Sequence, residues 1–170
     1  MIQLKVKWCL YCLLLTLGVK SYALPSDNEQ VMHVVADSAN LSQQTHQGTY
    51  TGHVEFVQGT TNLHSSQAIT QGNNKNQLEL AIANGSKKLQ AHYWTESGSG
   101  KPPFHAYADT IHYYPLRHFI ELIGNARIEQ GKNSLSAAKI TYDTVEKHVI
   151  SQSDKTTRTI IILYPEKKPT

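Results

Sequence analysis

Apolar residues recur at every second position in short runs along most of this chain. Met32, Val34 and Ala36 share one face of a run whose other face carries His33 and Val35. Tyr50, Val54 and Phe56 share a face with Gly52, opposite His53 and Glu55. Leu78, Leu80 and Ile82 form a third stripe, and Leu89, Ala91 and Tyr93 a fourth. Ile120, Leu122, Ala126 and Ile128 form a fifth, with Glu121, Arg127 and Glu129 on the polar side. A period of two predicts strands with one covered face. The last run differs, because Ile161 and Leu163 on one face meet Ile160, Ile162 and Tyr164 on the other. Such a strand is expected to be covered on both sides or to pair with something else.

The stripes are punctuated by turn chemistry. Gln58-Gly59 and Gln130-Gly131 are placed to close hairpins, and Gly72-Asn73-Asn74 and Asn84-Gly85 mark further turns. The segment from Gly98 to Pro103 is the strongest breaker and predicts a loop. The pattern also repeats. Residues 36–63 map onto residues 108–135 at a constant offset of 72 without a gap. Ala36-Asp37 returns as Ala108-Asp109, Gly52 as Gly124, Gln58-Gly59 as Gln130-Gly131 and Leu63 as Leu135. After both aspartates the apolar parity slips by one, which predicts a bulge or corner at the same place in each copy. Closely spaced strands without a helical period indicate an all-β sandwich, jelly roll or barrel. Its inward side chains can fill the space between two layers or leave it open for an apolar ligand.

The first 23 residues are set apart. Lys5 and Lys7 precede an apolar run from Trp8 to Val19, and Ser21-Tyr22-Ala23 offers small residues where a signal peptidase reads. This predicts a secretory signal peptide over residues 1–23 cleaved after Ala23, with an uncleaved anchor as the alternative. The domain is then expected over residues 24–164 and a frayed polar tail over 165–170. Both cysteines, Cys9 and Cys12, fall in the leader, so the exported domain is expected to have no disulfide and no thiolate chemistry. Removing Lys5, Lys7 and Lys20 leaves 13 of the 16 Lys and Arg against 13 Asp and Glu. That balance gives no basis for nucleic-acid binding.

Candidate chemistry is sparse. The nine histidines show no recognised ligand spacing with a supporting carboxylate, so no metal site and no cofactor are expected. Gly98-Ser99-Gly100-Lys101 is not followed by the pattern of a phosphate loop, and no nucleophile-elbow motif occurs. Asp37 and Asp109 repeat together, which suits a turn or side-chain cap better than a catalytic pair. No catalytic residue is assigned.

The motif Ala36-Asp37 followed by Gly52-His53-Val54-Glu55-Phe56-Val57-Gln58-Gly59 resembles the LptA/OstA family of periplasmic lipopolysaccharide-transport proteins. In the second copy, Ile123-Gly124-Asn125-Ala126-Arg127-Ile128-Glu129-Gln130-Gly131 is followed by Lys139-Ile140-Thr141-Tyr142-Asp143, and Gly100-Lys101-Pro102 matches the family's central segment. The likeness runs from Val31 to Tyr164. His53 stands where the family usually has Asn, and Ala138 replaces an acidic residue before Lys139. The resemblance implies a twisted, open β-jelly roll of antiparallel strands in the periplasm, whose apolar interior shields the lipid A chains of lipopolysaccharide. It also implies head-to-tail self-association and contact with inner-membrane LptC-like and outer-membrane LptD-like components.

On this basis Met32, Val34, Tyr50, Val54, Phe56, Leu80, Ile82, Ala91, Tyr93, Ile120, Leu122, Ala126 and Ile128 are expected to face the interior and meet lipid. Val31, His33 and Val35 at one end, and Ile160, Ile161, Ile162 and Leu163 at the other, are expected to form partner edges. Two other classes stay open from the residues alone. One is an assembly module that binds partners without lipid; the other is a metal- or sugar-binding periplasmic enzyme that uses the histidines.

Overall fold

The computed structural model describes residues 27–98 and 100–165. The expected leader and most of the expected tail lie outside these. Among the described residues no helix is long and apolar enough to cross a membrane. The described residues form twelve strands and two short 3-10 turns, Asp27–Glu29 and Pro115–Arg117. The strands are β1 Met32–Val35, β2 Ser38–Ser42, β3 Gln47–Gln58, β4 Thr61–Gly72, β5 Leu78–Asn84 and β6 Ala91–Thr95. They continue as β7 Phe104–Ala108, β8 Thr110–Tyr114, β9 Phe119–Gln130, β10 Asn133–Asp143, β11 Val149–Gln152 and β12 Ile160–Ile162.

All pairings are antiparallel, and they sort the strands into two layers. Four long strands, β3, β4, β9 and β10, run through both. In the first layer β1 pairs with the C-terminal half of β3, β4 with β6, β6 with β7, β7 with β9, and β10 with β12. In the second layer β2 pairs with the N-terminal half of β3, β4 with β5, β5 with β8, β8 with β9, and β10 with β11. The result is an antiparallel β-jelly roll in which the long strands turn a corner between layers.

The corners are where the repeat becomes physical. Register slips between Thr51 and Val54 in β3, and between Ala137 and Lys139 in β10 opposite Gly124-Asn125. Gly52 and His53 have φ of +76° and +45°, and Gly124 and Asn125 have +77° and +45°. In each copy an aspartate locks the turn. The Asp37 N–H donates to the Gly52 carbonyl at 2.9 Å, and the Asp109 N–H to that of Gly124 at 2.9 Å. The Asp109 carboxylate accepts from the Asn125 amide at 2.8 Å, and Asp37 meets His53 Nδ1 at the same distance. His53 therefore takes over both the left-handed conformation and the hydrogen bond of the expected Asn. Residues that can bond locally tolerate that conformation best. The parity slip expected after the aspartates thus sits on the partner strand, at the glycines that the aspartates hold.

The hairpin glutamines repeat too. Gln58 Nε2 donates to the Gln30 carbonyl at 3.0 Å, and Gln130 Nε2 to that of Pro102 at 3.3 Å, as well as to Ser97 Oγ at 2.8 Å. The two halves of the chain are joined edge to edge, β5 to β8 and β6 to β7.

Candidate functional site: the groove between the layers

The interior lies between the layers. Leu63, Ile111, Ile120, Leu122, Ile140 and Val54 are the largest side chains with essentially no solvent exposure, and they fill the middle. Around them the walls are lined by alanines, among them Ala68, Ala81, Ala83, Ala106 and Ala137. Small residues on facing sheets let the backbones approach and leave little void. Towards both ends the packing opens. One recess of about 490 Å³ lies at the β1–β2 end, among Met32, Tyr50, Thr70 and Leu78. A second, of about 370 Å³, lies at the β11–β12 end, among Phe104, Ile128, Leu135, Tyr142, Val149 and Ile161. A third, of about 520 Å³, runs along the open side past Tyr93 and Tyr113.

Aromatic pairs clasp the layers together along this groove. Tyr50 meets Phe56 edge-on at 5.4 Å, Tyr93 meets Tyr113 at 5.6 Å, and Phe104 stacks on Tyr142 at 4.5 Å. Such contacts contribute ~0.5–1.5 kcal/mol each beyond buried area. Burial raises the Tyr93 phenol well above its ordinary range and pushes that of Tyr113 up to about 12, Asp27 adding to the rise at Tyr113. Both therefore remain neutral and the groove carries no phenolate at neutral pH. Asp27 is held at the rim, where it accepts from Thr60 N–H at 3.0 Å and from the hydroxyls of Thr60 and Thr61 at 2.8 and 2.6 Å.

The expected interior residues divide unevenly. Val54, Phe56, Ala91, Tyr93, Ile120, Leu122, Ala126 and Ile128 are buried in the core, and Met32, Val34 and Tyr50 pack against it half-buried. Leu80 and Ile82 do not face the interior, contrary to expectation. At the start of β5, Gly72 pairs with Leu78 but Gln71 pairs with Leu80, so Glu79 is an extra residue. The slip leaves Leu78 inside, then presents Ala81 and Ala83 to the core and turns Leu80 and Ile82 to the outer face. Ile82 lies there opposite Ile69, which is 41% exposed. Leu89 also leaves its stripe, because the Ser86 N–H donates to its carbonyl at 2.7 Å and closes a turn in which it is exposed.

Among the described residues the outermost strand edges at both ends are unpaired and apolar. Val31 and Val35 are exposed at the β1 edge, with His33 between them. At the other end Ile160, Ile161, Ile162 and Leu163 are all exposed although β12 pairs with β10. Among the described residues that strand is thus covered on neither side.

The structure also gathers residues that the sequence left scattered. His64, His92 and His105 come from β4, β6 and β7 onto the outer face of the first layer. His92 Nε2 lies 3.1 Å from His105 Nδ1 in a hydrogen bond, and its ring stacks on Tyr107 at 4.3 Å and Trp94 at 4.6 Å. Burial, reinforced by His105 and His64, lowers the His92 pKa to about 4, so it is neutral at physiological pH. Among the described residues no group of three or more His, Cys, Asp or Glu side chains is arranged to hold a metal ion. On the outer face of the second layer, Glu121 bonds Lys139 at 2.6 Å and lies 3.4 Å from His112, and the Lys139 bond holds its carboxyl below the usual range.

The described residues thus form a β-jelly roll with an interlayer groove that opens at both ends and with exposed apolar edge strands, and this fold defines the class of protein. Comparison with known proteins gives that class a family. Residues 33–148 match the model described as LptA/(LptD N-terminal domain) LPS transport protein, and the chain belongs to this family. It is similar to the lipopolysaccharide export system protein LptA of Escherichia coli (strain K12), with 27% identity over 154 residues, covering 91% of this chain and 82% of that one. It is 29% identical over 154 residues to the lipopolysaccharide export system protein LptH of Pseudomonas aeruginosa, covering 86% of each. The crystal structure of LptH, described as the LptA-homologous periplasmic component of the lipopolysaccharide transport device of that organism, superposes with a TM-score of 0.75 at 28% identity, covering 83% of this chain and all of that one.

Proposed function

We propose that this chain is a periplasmic carrier of lipopolysaccharide that holds lipid A acyl chains between its layers and passes them along a bridge from inner to outer membrane. The observation that carries the reading is the interlayer groove, apolar within and opening at its ends and along one side into recesses with polar rims, with an exposed apolar edge at each end. The filled centre does not oppose it. Burial contributes ~0.8 kcal/mol per methylene, so roughly ten methylenes outweigh several aromatic clasps of ~1 kcal/mol each. Acyl chains enter by parting the layers, with the corners as hinges.

The edges supply the bridge. Within the chain, the first half ends in β5 and β6 and meets the second half at β8 and β7. The second half ends in β11 and β12, which occupy the same places on β10 as β5 and β6 do on β4. Asn84 pairs with Gln67 as Gln152 pairs with Lys139, and Trp94 pairs with Asn62 as Ile162 pairs with Ser134. Carrying the internal joint one repeat onward sets Gln152 to Val149 against Ser38 to Leu41 of a second copy. It sets Thr159 to Leu163 against Ala36 to Met32. Ile161 and Leu163 then meet Val34 and Met32 on the interior face, and the groove continues. The same edges would serve LptC-like and LptD-like partners.

The test is in-cell crosslinking with a photoactivatable residue at Phe56, with Ile69 on the outer face as control. Lipopolysaccharide adducts at Phe56 and not at Ile69 are expected. Protein adducts alone, from a folded and exported variant, would move the reading to an assembly module without lipid.

A further inference from the structure

The two ends of the groove differ in charge. The recess at the β1–β2 end is lined by neutral residues, with His46 as its one titratable nitrogen base. The recess at the β11–β12 end is apolar at its base, with Phe104, Ile128, Leu135 and Tyr142, yet it is lined by Lys101 and Lys147 and by no carboxylate. The lysines stand on opposite lips. Lys101 precedes β7 of the first layer, and Lys147 lies in the turn between β10 and β11 of the second.

Both are carried on turns with defined backbones. The Lys101 N–H donates to the Gly98 carbonyl at 3.3 Å, and the following Pro102 carbonyl accepts from Gln130 Nε2. Lys147 has φ of +56° in a turn where Asp143 Oδ1 accepts from the N–H groups of Val145 and Glu146 at 2.8 and 2.7 Å. The Asp143 N–H closes that turn on the His148 carbonyl at 2.9 Å. Asp143 is thereby occupied with backbone, which holds its carboxyl below the usual range, and among the described residues no carboxylate is paired with Lys147. Glu96 and Asp27 belong to the adjoining recess along the open side, as does a second face of Lys147.

An apolar slot with a cation on each lip matches an amphiphile whose chains are apolar and whose head carries phosphate. We propose that Lys101 and Lys147 form a phosphate-binding pair that orients such a lipid, its acyl chains in the groove and its phosphorylated head at the mouth of the β11–β12 recess. The neutral recess at the other end offers the head no such partner, so the pair makes the two halves of the repeat unequal and gives the bound lipid a preferred place. This rests on the groove reading above and adds to it the part of the lipid that is recognised.

The test compares bisphosphorylated lipid A with its dephosphorylated form, each presented to the mature protein in the same neutral detergent. The variant is Lys101→Gln with Lys147→Asn, since Asn tolerates the left-handed backbone at that position. Unchanged circular dichroism establishes that it is folded. The wild type is expected to prefer the bisphosphorylated lipid. The double variant loses roughly three- to thirtyfold in affinity for it, as two partly exposed ion pairs allow, and loses the salt dependence of binding. Its affinity for the dephosphorylated lipid is unchanged. Lys75→Gln with Lys87→Gln, removing two lysines elsewhere, changes neither. Equal wild-type affinity for both lipids, or an equal loss for both in the double variant, overturns the phosphate pair while leaving the groove. Failure of the wild type to bind either lipid overturns the groove reading itself.

Discussion

Gly124→Ala tests the corner that joins the layers. The glycine has φ of +77°, where a residue with a Cβ costs ~1–2 kcal/mol. A Cβ built there would lie 2.6 Å from Asp109 Oδ2 and 3.1 Å from its Cβ and Cγ. The carboxylate must therefore swing away from the Asn125 amide, losing a hydrogen bond that contributes ~1 kcal/mol. The expected total is ~2–3 kcal/mol. Gly98→Ala isolates the backbone part, since Gly98 has φ of +88° with nothing within 4 Å of an added Cβ; it should cost at most ~1–2 kcal/mol. Urea unfolding followed by circular dichroism and by Trp94 fluorescence gives both values. In an Asp109→Ala background the penalty at Gly124 should shrink towards that at Gly98, because the oxygen it strikes is gone. A Gly124→Ala protein as stable as wild type, or a penalty independent of Asp109, would refute the account of the corner as an aspartate-locked left-handed turn.

Three further outcomes are expected. Tyr113 should destabilise the protein in alkali: its pKa rises from the ordinary 10 to about 12 on folding, so its contribution is complete below pH 10 and is lost as pH rises towards 12. The loss is roughly 3 kcal/mol across that window, and Tyr113→Phe should flatten the alkaline branch of a urea-midpoint series. At the β12 edge, Ile160→Lys with Ile162→Lys should weaken self-association about tenfold or more, as loss of two apolar contacts implies, while lipid binding by the monomer persists; sedimentation at several concentrations, with and without lipid, reads this out. Cysteines at Ile160 and Val35 should crosslink between copies if the internal joint is the template, and cysteines at Ile160 and Leu41 should not.

What the sequence determined by itself was local. Alternation is a property of neighbouring residues, so the all-β class, the hairpins at Gly59 and Gly131, and the inward faces of β3, β6 and β9 were legible in it. The repeat showed that each copy has a corner but set it after the aspartates, whereas the structure puts it on the partner strand, at Gly52-His53 and Gly124-Asn125. The tertiary structure decided whatever depends on register between strands distant in sequence. One extra residue at Glu79 turns Leu80 and Ile82 outward, since a slip of one reverses every side chain beyond it. The gathering of His64, His92 and His105 follows from β4, β6 and β7 lying side by side, and no spacing along the chain records that. The groove itself, filled at Leu63 and Ile140 but open at Tyr50 and Tyr142, is set by how far apart the corners hold two layers. That distance belongs to the packing of many side chains at once, and no single stretch of sequence contains it.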